Sequence, residues 1–210
     1  MSTGEPLLIL GSGRLFERVR MQWPQREPRR EIRTVELAMD DIATLQETVL
    51  HSHPAGATRV FAAFDSTALN FARLDLLSRL RLLGYRADTF VHPSAFVDAT
   101  ATIAENCYIA EGAVVGPRAR IAYNCFLGAG VRLGHQVQVQ HSCWIEAGVT
   151  CGDGCGIGMH SILGLGVIVG HGVKIGNYCG LEVPAHHDTD VSDRTYFHPQ
   201  FDRPVRIYTA

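Results

Sequence analysis

Charge is scarce in this chain. Only 19% of its 210 residues are Asp, Glu, Lys or Arg, and 19 basic against 21 acidic side chains leave a net charge of −2. That balance excludes a nucleic-acid binder working through bulk positive charge, and it offers no polybasic footprint for a membrane surface. Long hydrophobic runs are also missing near the N-terminus, where Leu7 to Leu10 is too short for a signal-peptide core. Gly154 to Val173 is twenty residues without an acidic or basic side chain, but seven of them are glycine and two are histidine, which argues against a lipid-embedded helix. A cytoplasmic protein without membrane insertion is expected. What the chain has in excess is glycine, 21 of 210 residues. Hydrophobic residues at 46% supply enough material for a core, and the length bounds the answer to one domain or two small ones.

The second half is a repeat. From Val91 to His186 the sequence divides without a gap into sixteen hexapeptides, from VHPSAF and VDATAT to IGNYCG and LEVPAH. The first position is Val, Ile or Leu in fifteen of the sixteen, Cys151 being the exception, and the fifth is Ala, Cys, Val or Ser in all. Neither a 3.6-residue nor a plain two-residue period produces this pattern. It is the hexapeptide signature of a β-helix, whose first and fifth side chains fill the interior. The tandem hexapeptide resembles the left-handed parallel β-helix of bacterial acyltransferases, with three hexapeptides to a triangular coil. Sixteen hexapeptides make about five coils.

The register also places the cysteines. Cys107, Cys125, Cys143, Cys155 and Cys179 fall at position five and Cys151 at position one, so all six point inward as small apolar fillers. The spacing Cys151-Gly-Asp-Gly-Cys155 leaves a metal or redox role as the alternative. Sixteen of the 21 glycines lie between Val91 and His186, where corners and close coil approach favour them.

Residues 1–90 follow a different pattern. Pro6 to Leu10 reads as a buried strand entering Gly11-Ser12-Gly13. Arg30 to Leu37 reads as a second strand, Asp40 to Leu50 as a helix and Arg59 to Phe64 as a third strand. Asp65-Ser66 looks like an N-cap for a helix whose apolar stripe is Leu69, Ala72, Leu76, Leu80 and Leu83, ending at Gly84. This is a small α/β unit with a parallel sheet, and its ligand site is expected at the carboxyl ends of the strands, near Gly11 to Gly13 and Phe64 to Ser66. Phe16 stands where a full dinucleotide fingerprint has glycine, so an ordinary strand-to-helix turn is the competing reading. The expected organisation is a Rossmann-like domain over 1–90, the β-helix over 91–187 and a tail over 188–210.

Taken together, the chain resembles the nucleotide-sugar acyltransferases that join an N-terminal Rossmann-like half to a C-terminal left-handed β-helix. These include the sialic acid O-acetyltransferases and the UDP-amino-sugar N-acetyltransferases. The resemblance covers nearly the whole chain and rests on Gly11-Ser12-Gly13, on the run from Phe64 to Arg73, and on Leu83-Gly84-Tyr85 leading into Val91-His92-Pro93-Ser94-Ala95. It implies transfer of an acetyl group from acetyl-CoA to an amino or hydroxyl group of a nucleotide-linked sugar, for surface polysaccharide synthesis, without a metal. It also implies a homotrimer with acetyl-CoA along the β-helix between subunits. The weakly charged helix faces, with ten charged residues between Val91 and His186, favour burial in such an assembly. By resemblance, Gly11, Ser12, Gly13, Asp65, Asn70 and Arg73 are the nucleotide-sugar candidates. Asn70 and Arg73 lie off the apolar stripe, and a solvated helix face is the alternative account of them. Gly152, Asp153, Gly154 and His171 are the acetyl-CoA candidates.

Acyl transfer from a thioester needs a base near neutral pKa and hydrogen-bond donors for the oxyanion. Among ten histidines, His135, His141 and His171 take position three of their hexapeptides and His160 position four; His92 belongs to the boundary motif, and His51, His53, His186, His187 and His198 are expected to be mostly solvated. In the family, the catalytic histidine is the third residue of the eighth hexapeptide, which here is His135. Residues eighteen apart stack at about 4.8 Å, so Pro117, His135, Asp153 and His171 form one column with a carboxylate directly above the imidazole. Two departures stand out. Gln136 replaces the acidic residue or histidine that usually follows the catalytic histidine, and Asp153 replaces a glycine whose backbone N–H is thought to face the thioester oxygen. Asp153 either takes over the orienting role or disturbs the oxyanion by its charge. A scaffold with a decayed site is therefore the alternative function. A metal enzyme like the γ-class carbonic anhydrases, which share the β-helix, is a further one, although positions 140 and 176 are Gln140 and Gly176 where that family needs histidine.

Overall fold

The structure, a computed structural model, describes residues 4–38 and 53–207. They divide at Phe90–Val91 into two compact units.

The first unit is a four-stranded parallel sheet. Its elements are β1 (Leu7–Gly11), α1 (Arg14–Arg26), β2 (Ile32–Glu36), β3 (Arg59–Ala63), a 3₁₀ turn (Thr67–Asn70), α2 (Phe71–Leu82) and β4 (Arg86–Ala87), with sheet order β2-β1-β3-β4. All five residues of β1 are buried, as expected for a central parallel strand flanked on both sides. The charge-rich segment after Gly13, to which the sequence assigns no element, is α1. It buries Leu15, Phe16, Val19 and Trp23, and the Trp23 indole meets the Phe61 ring edge-on at 5.1 Å. A pair of this kind adds about 0.5–1.5 kcal/mol beyond the area it buries. Phe16 is thus a core residue of the helix. The helix expected over Asp40 to Leu50 lies outside the described residues.

The second unit is a left-handed parallel β-solenoid of two-residue strands on three faces. The eighteen-residue register holds throughout the regular coils, with Tyr108 beside Phe126 beside Trp144, and Arg132 beside Thr150. First- and fifth-position side chains make the interior, and all six cysteines are free and buried in it. At the corners, the fourth residue of thirteen successive hexapeptides, from Asn106 to Tyr178, has φ between 55 and 72°. Six of those thirteen are glycine, which adopts this left-handed backbone without a Cβ penalty.

The solenoid continues beyond His187, against the expected boundary. A step two residues short brings Val191 beside Ile175, and Thr195–Phe197 then pairs with Gly180–Leu181, completing about six turns. Val205–Arg206 closes the end as an antiparallel strand on Thr195–Tyr196. His187 therefore occupies an inward position beside Val169, 7% exposed and edge-on to Phe197 at 4.8 Å, and is not the solvated side chain the sequence suggested.

Candidate functional site

Strand order reverses at β1, so the crevice between the carboxyl ends of β1 and β3 is the topological switch point of the first unit. Gly11 reaches it with φ 143°, and a Cβ there would lie 2.1 Å from the Ala63 carbonyl oxygen. Gly13 has φ 91°, and its Cβ would meet the Asp65 carboxylate. Asp65 does not cap the following helix. Its Oδ2 accepts the backbone N–H of Arg14 at 2.9 Å and its Oδ1 that of Leu15 at 2.8 Å, so its carboxylate fills the amino end of α1. Gly11, Gly13 and Asp65 come together; Ser12 is half-buried beside them.

Asn70 and Arg73 are both fully buried, which removes the solvated-face account of them. Asn70 precedes α2 in left-handed backbone (φ 63°). The Arg73 Nε–H donates to the Ala62 carbonyl at 3.0 Å, and its guanidinium lies over the Phe61 ring at 5.4 Å. Arg73 holds β3 to α2 from inside. A larger cavity, about 500 Å³, opens at the opposite, amino end of this sheet. There Arg30 and Arg59 both engage Asp88 at 2.6 Å.

In the second unit the expected corner column is present. The backbone N–H groups of Gln136, Gly154 and Gly172 donate to the carbonyls of Pro117, His135 and Asp153 at 2.8–2.9 Å, stacking these third-position residues coil on coil. Asp153 faces the histidine below it differently from the expectation. Its Oδ1 accepts the backbone N–H of His135 at 2.7 Å, not a ring N–H. The backbone N–H of Asp153 is itself donated to Nδ1 of His171 at 2.9 Å, so the group expected to face the thioester oxygen is already engaged. His171 consequently carries its proton on Nε2 when neutral. The His135 ring is half-buried, and among the described residues no hydrogen bond or ion pair reaches it. Gly152 has a packing reason, since a Cβ there would lie 2.9 Å from the backbone nitrogen of His171. Gly154 takes the corner backbone at φ 72°.

Beside this corner a groove of about 290 Å³ runs over the face carrying Gln138, Gly156 and Lys174. Lys174 is the only lysine in the chain and sits at an outward position, where the hexapeptide register gives no sign of a role. The next corner holds an aromatic pile. His141 stacks on Tyr123 at 4.8 Å and meets His160 edge-on at 5.3 Å, and His160, 2% exposed, stacks on Tyr178 at 5.4 Å. Burial, then the neighbouring His160, hold the His141 imidazole below its usual pKa. Both imidazoles are half-buried, but His141 is packed against aromatic rings, whereas among the described residues no hydrogen bond or ion pair reaches the His135 ring. Among the described residues no three His, Cys, Asp or Glu side chains converge as a metal-ligand set.

No protein-family model and no curated protein matches the sequence. Solved structures do match. PerB from Caulobacter crescentus, in complex with CoA and GDP-perosamine, is 19% identical over 91% of this chain and 92% of its own, with a TM-score of 0.77. A histidine-to-asparagine variant of perosamine N-acetyltransferase from the same organism gives 18% identity, the same coverages and a TM-score of 0.77. The acetyltransferase domain of PglB from Neisseria gonorrhoeae, in complex with acetyl coenzyme A, is 16% identical over 96% of this chain and 100% of its own, with a TM-score of 0.81. The chain has their fold. The α/β unit followed by a β-solenoid is thus an architecture shared with these solved structures, and among the described residues no helix is long and apolar enough to cross a membrane.

Proposed function

We propose that the chain transfers an acetyl group from acetyl-CoA to an amino group of a nucleotide-linked sugar, with a hydroxyl acceptor as the variant of the same chemistry. The observation that carries this reading is the His135 imidazole at a solenoid corner, half-buried and reached by no hydrogen bond or ion pair among the described residues, in a chain whose fold matches proteins solved with CoA and GDP-perosamine. Acetyl-CoA supplies the activated thioester carbonyl. As the acceptor nitrogen attacks it, one ring nitrogen of His135 takes the proton, and the coenzyme A thiolate leaves with the electron pair of the broken C–S bond. His171 offers Nε2–H to the oxyanion or to the cofactor, with Gly152, Asp153 and Gly154 shaping that side. Gly11, Ser12 and Gly13 receive the nucleotide sugar, while Asp65, Asn70 and Arg73 hold that crevice in shape. The working assembly is a cytoplasmic homotrimer, with mass near three times the 23.0 kDa chain by light scattering.

A scaffold that binds the nucleotide sugar without turning it over is the second reading, favoured by the engaged N–H of Asp153 and by the absence of an acidic residue after His135. Incubation with acetyl-CoA and a panel of GDP-, UDP- and dTDP-linked amino sugars separates the two. Thiol release with a product one acetyl group heavier supports the enzyme; nucleotide-sugar binding without thiol release for every sugar supports the scaffold.

A further inference from the structure

Within the solenoid, a third-position backbone N–H points at the third-position side chain of the coil above. It does so in four places: His135 to Asp153 Oδ1, Asp153 to His171 Nδ1, Met159 to Asn177 Oδ1 and Asn177 to Asp193 Oδ1, at 2.7–3.0 Å. Asp153, His171, Asn177 and Asp193 each have an acceptor atom occupied from below in this way, whereas His141 stacks on the Tyr123 ring beneath it instead. At His171 the bond pins the ring with Nδ1 as acceptor and the proton on Nε2. His135 has no such bond, and here the donor itself is missing. The residue beneath it is Pro117, shown by the Gln136 N–H to Pro117 carbonyl bond at 2.9 Å, and proline has no N–H to give.

We infer that Pro117 is a positioning residue that leaves both ring nitrogens of His135 available, and so decides which of two stacked histidines can serve as base. With an ordinary residue at 117, a backbone N–H would occupy Nδ1 of His135 and fix the proton on Nε2. Neither nitrogen could then accept a proton from the nucleophile. His171, pinned in that state, is a hydrogen-bond donor only. The two imidazoles are chemically alike, and the coil below each sets them apart. The catalytic half of this inference rests on the proposed acetyl transfer with His135 as base; the tautomer half does not.

The test is nitrogen-15 NMR of the histidine rings in the full-length protein, beside steady-state kinetics. In the wild type, His171 shows the single Nε2–H tautomer and His135 a mixture. In Pro117→Ala the His135 ring moves to the Nε2–H tautomer, and kcat falls roughly tenfold or more with KM for acetyl-CoA little changed. Pro117→Gly, which also restores the N–H, reproduces the ring shift if alanine perturbs folding. A His135 ring already fixed on Nε2–H in the wild type, or unchanged in both variants, overturns the inference while leaving His135 as base. Full activity in His135→Ala overturns the base assignment and the catalytic half with it, whatever the ring spectra show.

Discussion

The carboxylate of Asp153 and the imidazole of His135 are neighbours on one column, yet the contact between the two residues runs from Oδ1 of Asp153 to the backbone N–H of His135, at 2.7 Å. The carboxylate anchors the main chain under the histidine and leaves the ring alone. An amide keeps that acceptor and a methyl does not. Asp153→Asn is therefore expected to hold kcat/KM within a few-fold of the wild type, and Asp153→Ala to lower it roughly tenfold. Equal losses in both variants would show that the negative charge itself matters.

Asp65 caps α1 from 51 and 50 residues away in the chain, through the N–H groups of Arg14 and Leu15. Asp65→Ala should lower unfolding free energy by about 0.5–2 kcal/mol in urea melts, the usual range for a lost cap. No change in the midpoint would mean that water replaces the carboxylate without penalty.

All six thiols are buried, and burial followed by Cys155 pushes the Cys151 thiol up to about 12. The reactive species is the thiolate. The native protein should resist a thiol reagent at pH 8, and six thiols should react once it is unfolded. Rapid native labelling of Cys151 or Cys155 would contradict their role as interior filler.

Burial holds His141 and His187 below the usual histidine pKa; His160 adds to this at His141, and His186 does so at His187, partly offset by Asp188. The unfolded chain then takes up these protons at higher pH than the folded one. Stability is fully present above about pH 6.5, the ordinary histidine value, and is lost as pH falls through the lowered values. Denaturant melts should show a plateau from pH 8 to 7 and a decline below it, shallower in His187→Leu. Stability that rises on acidification from pH 7 would contradict this.

The solenoid was legible because its constraint is local. Inward positions one and five recur every six residues, so the column of Pro117, His135, Asp153 and His171 followed from counting alone. Contacts that depend on turn geometry were not legible. His160 reaches His141 because its left-handed backbone (φ 56°) turns a fourth-position ring into the pile, which spacing by eighteen does not reveal. His187, by contrast, obeys the same count: it takes the first position of the next hexapeptide, beside Val169, and is interior for that reason. In the first unit, the stripe Leu15, Phe16, Val19 and Trp23 was present but masked by its charged neighbours. The burial of Arg73 depends on a carbonyl in β3 that no local pattern announces.

Thiol release from acetyl-CoA, measured for His135→Ala and His141→Ala with an accepted nucleotide-linked amino sugar, bears most directly on the assignment of the base. His135→Ala should lower kcat by roughly 10²–10⁴ while still binding acetyl-CoA in calorimetry, and His141→Ala should stay within several-fold of the wild type. Normal turnover in His135→Ala, with His141→Ala inactive, would contradict it.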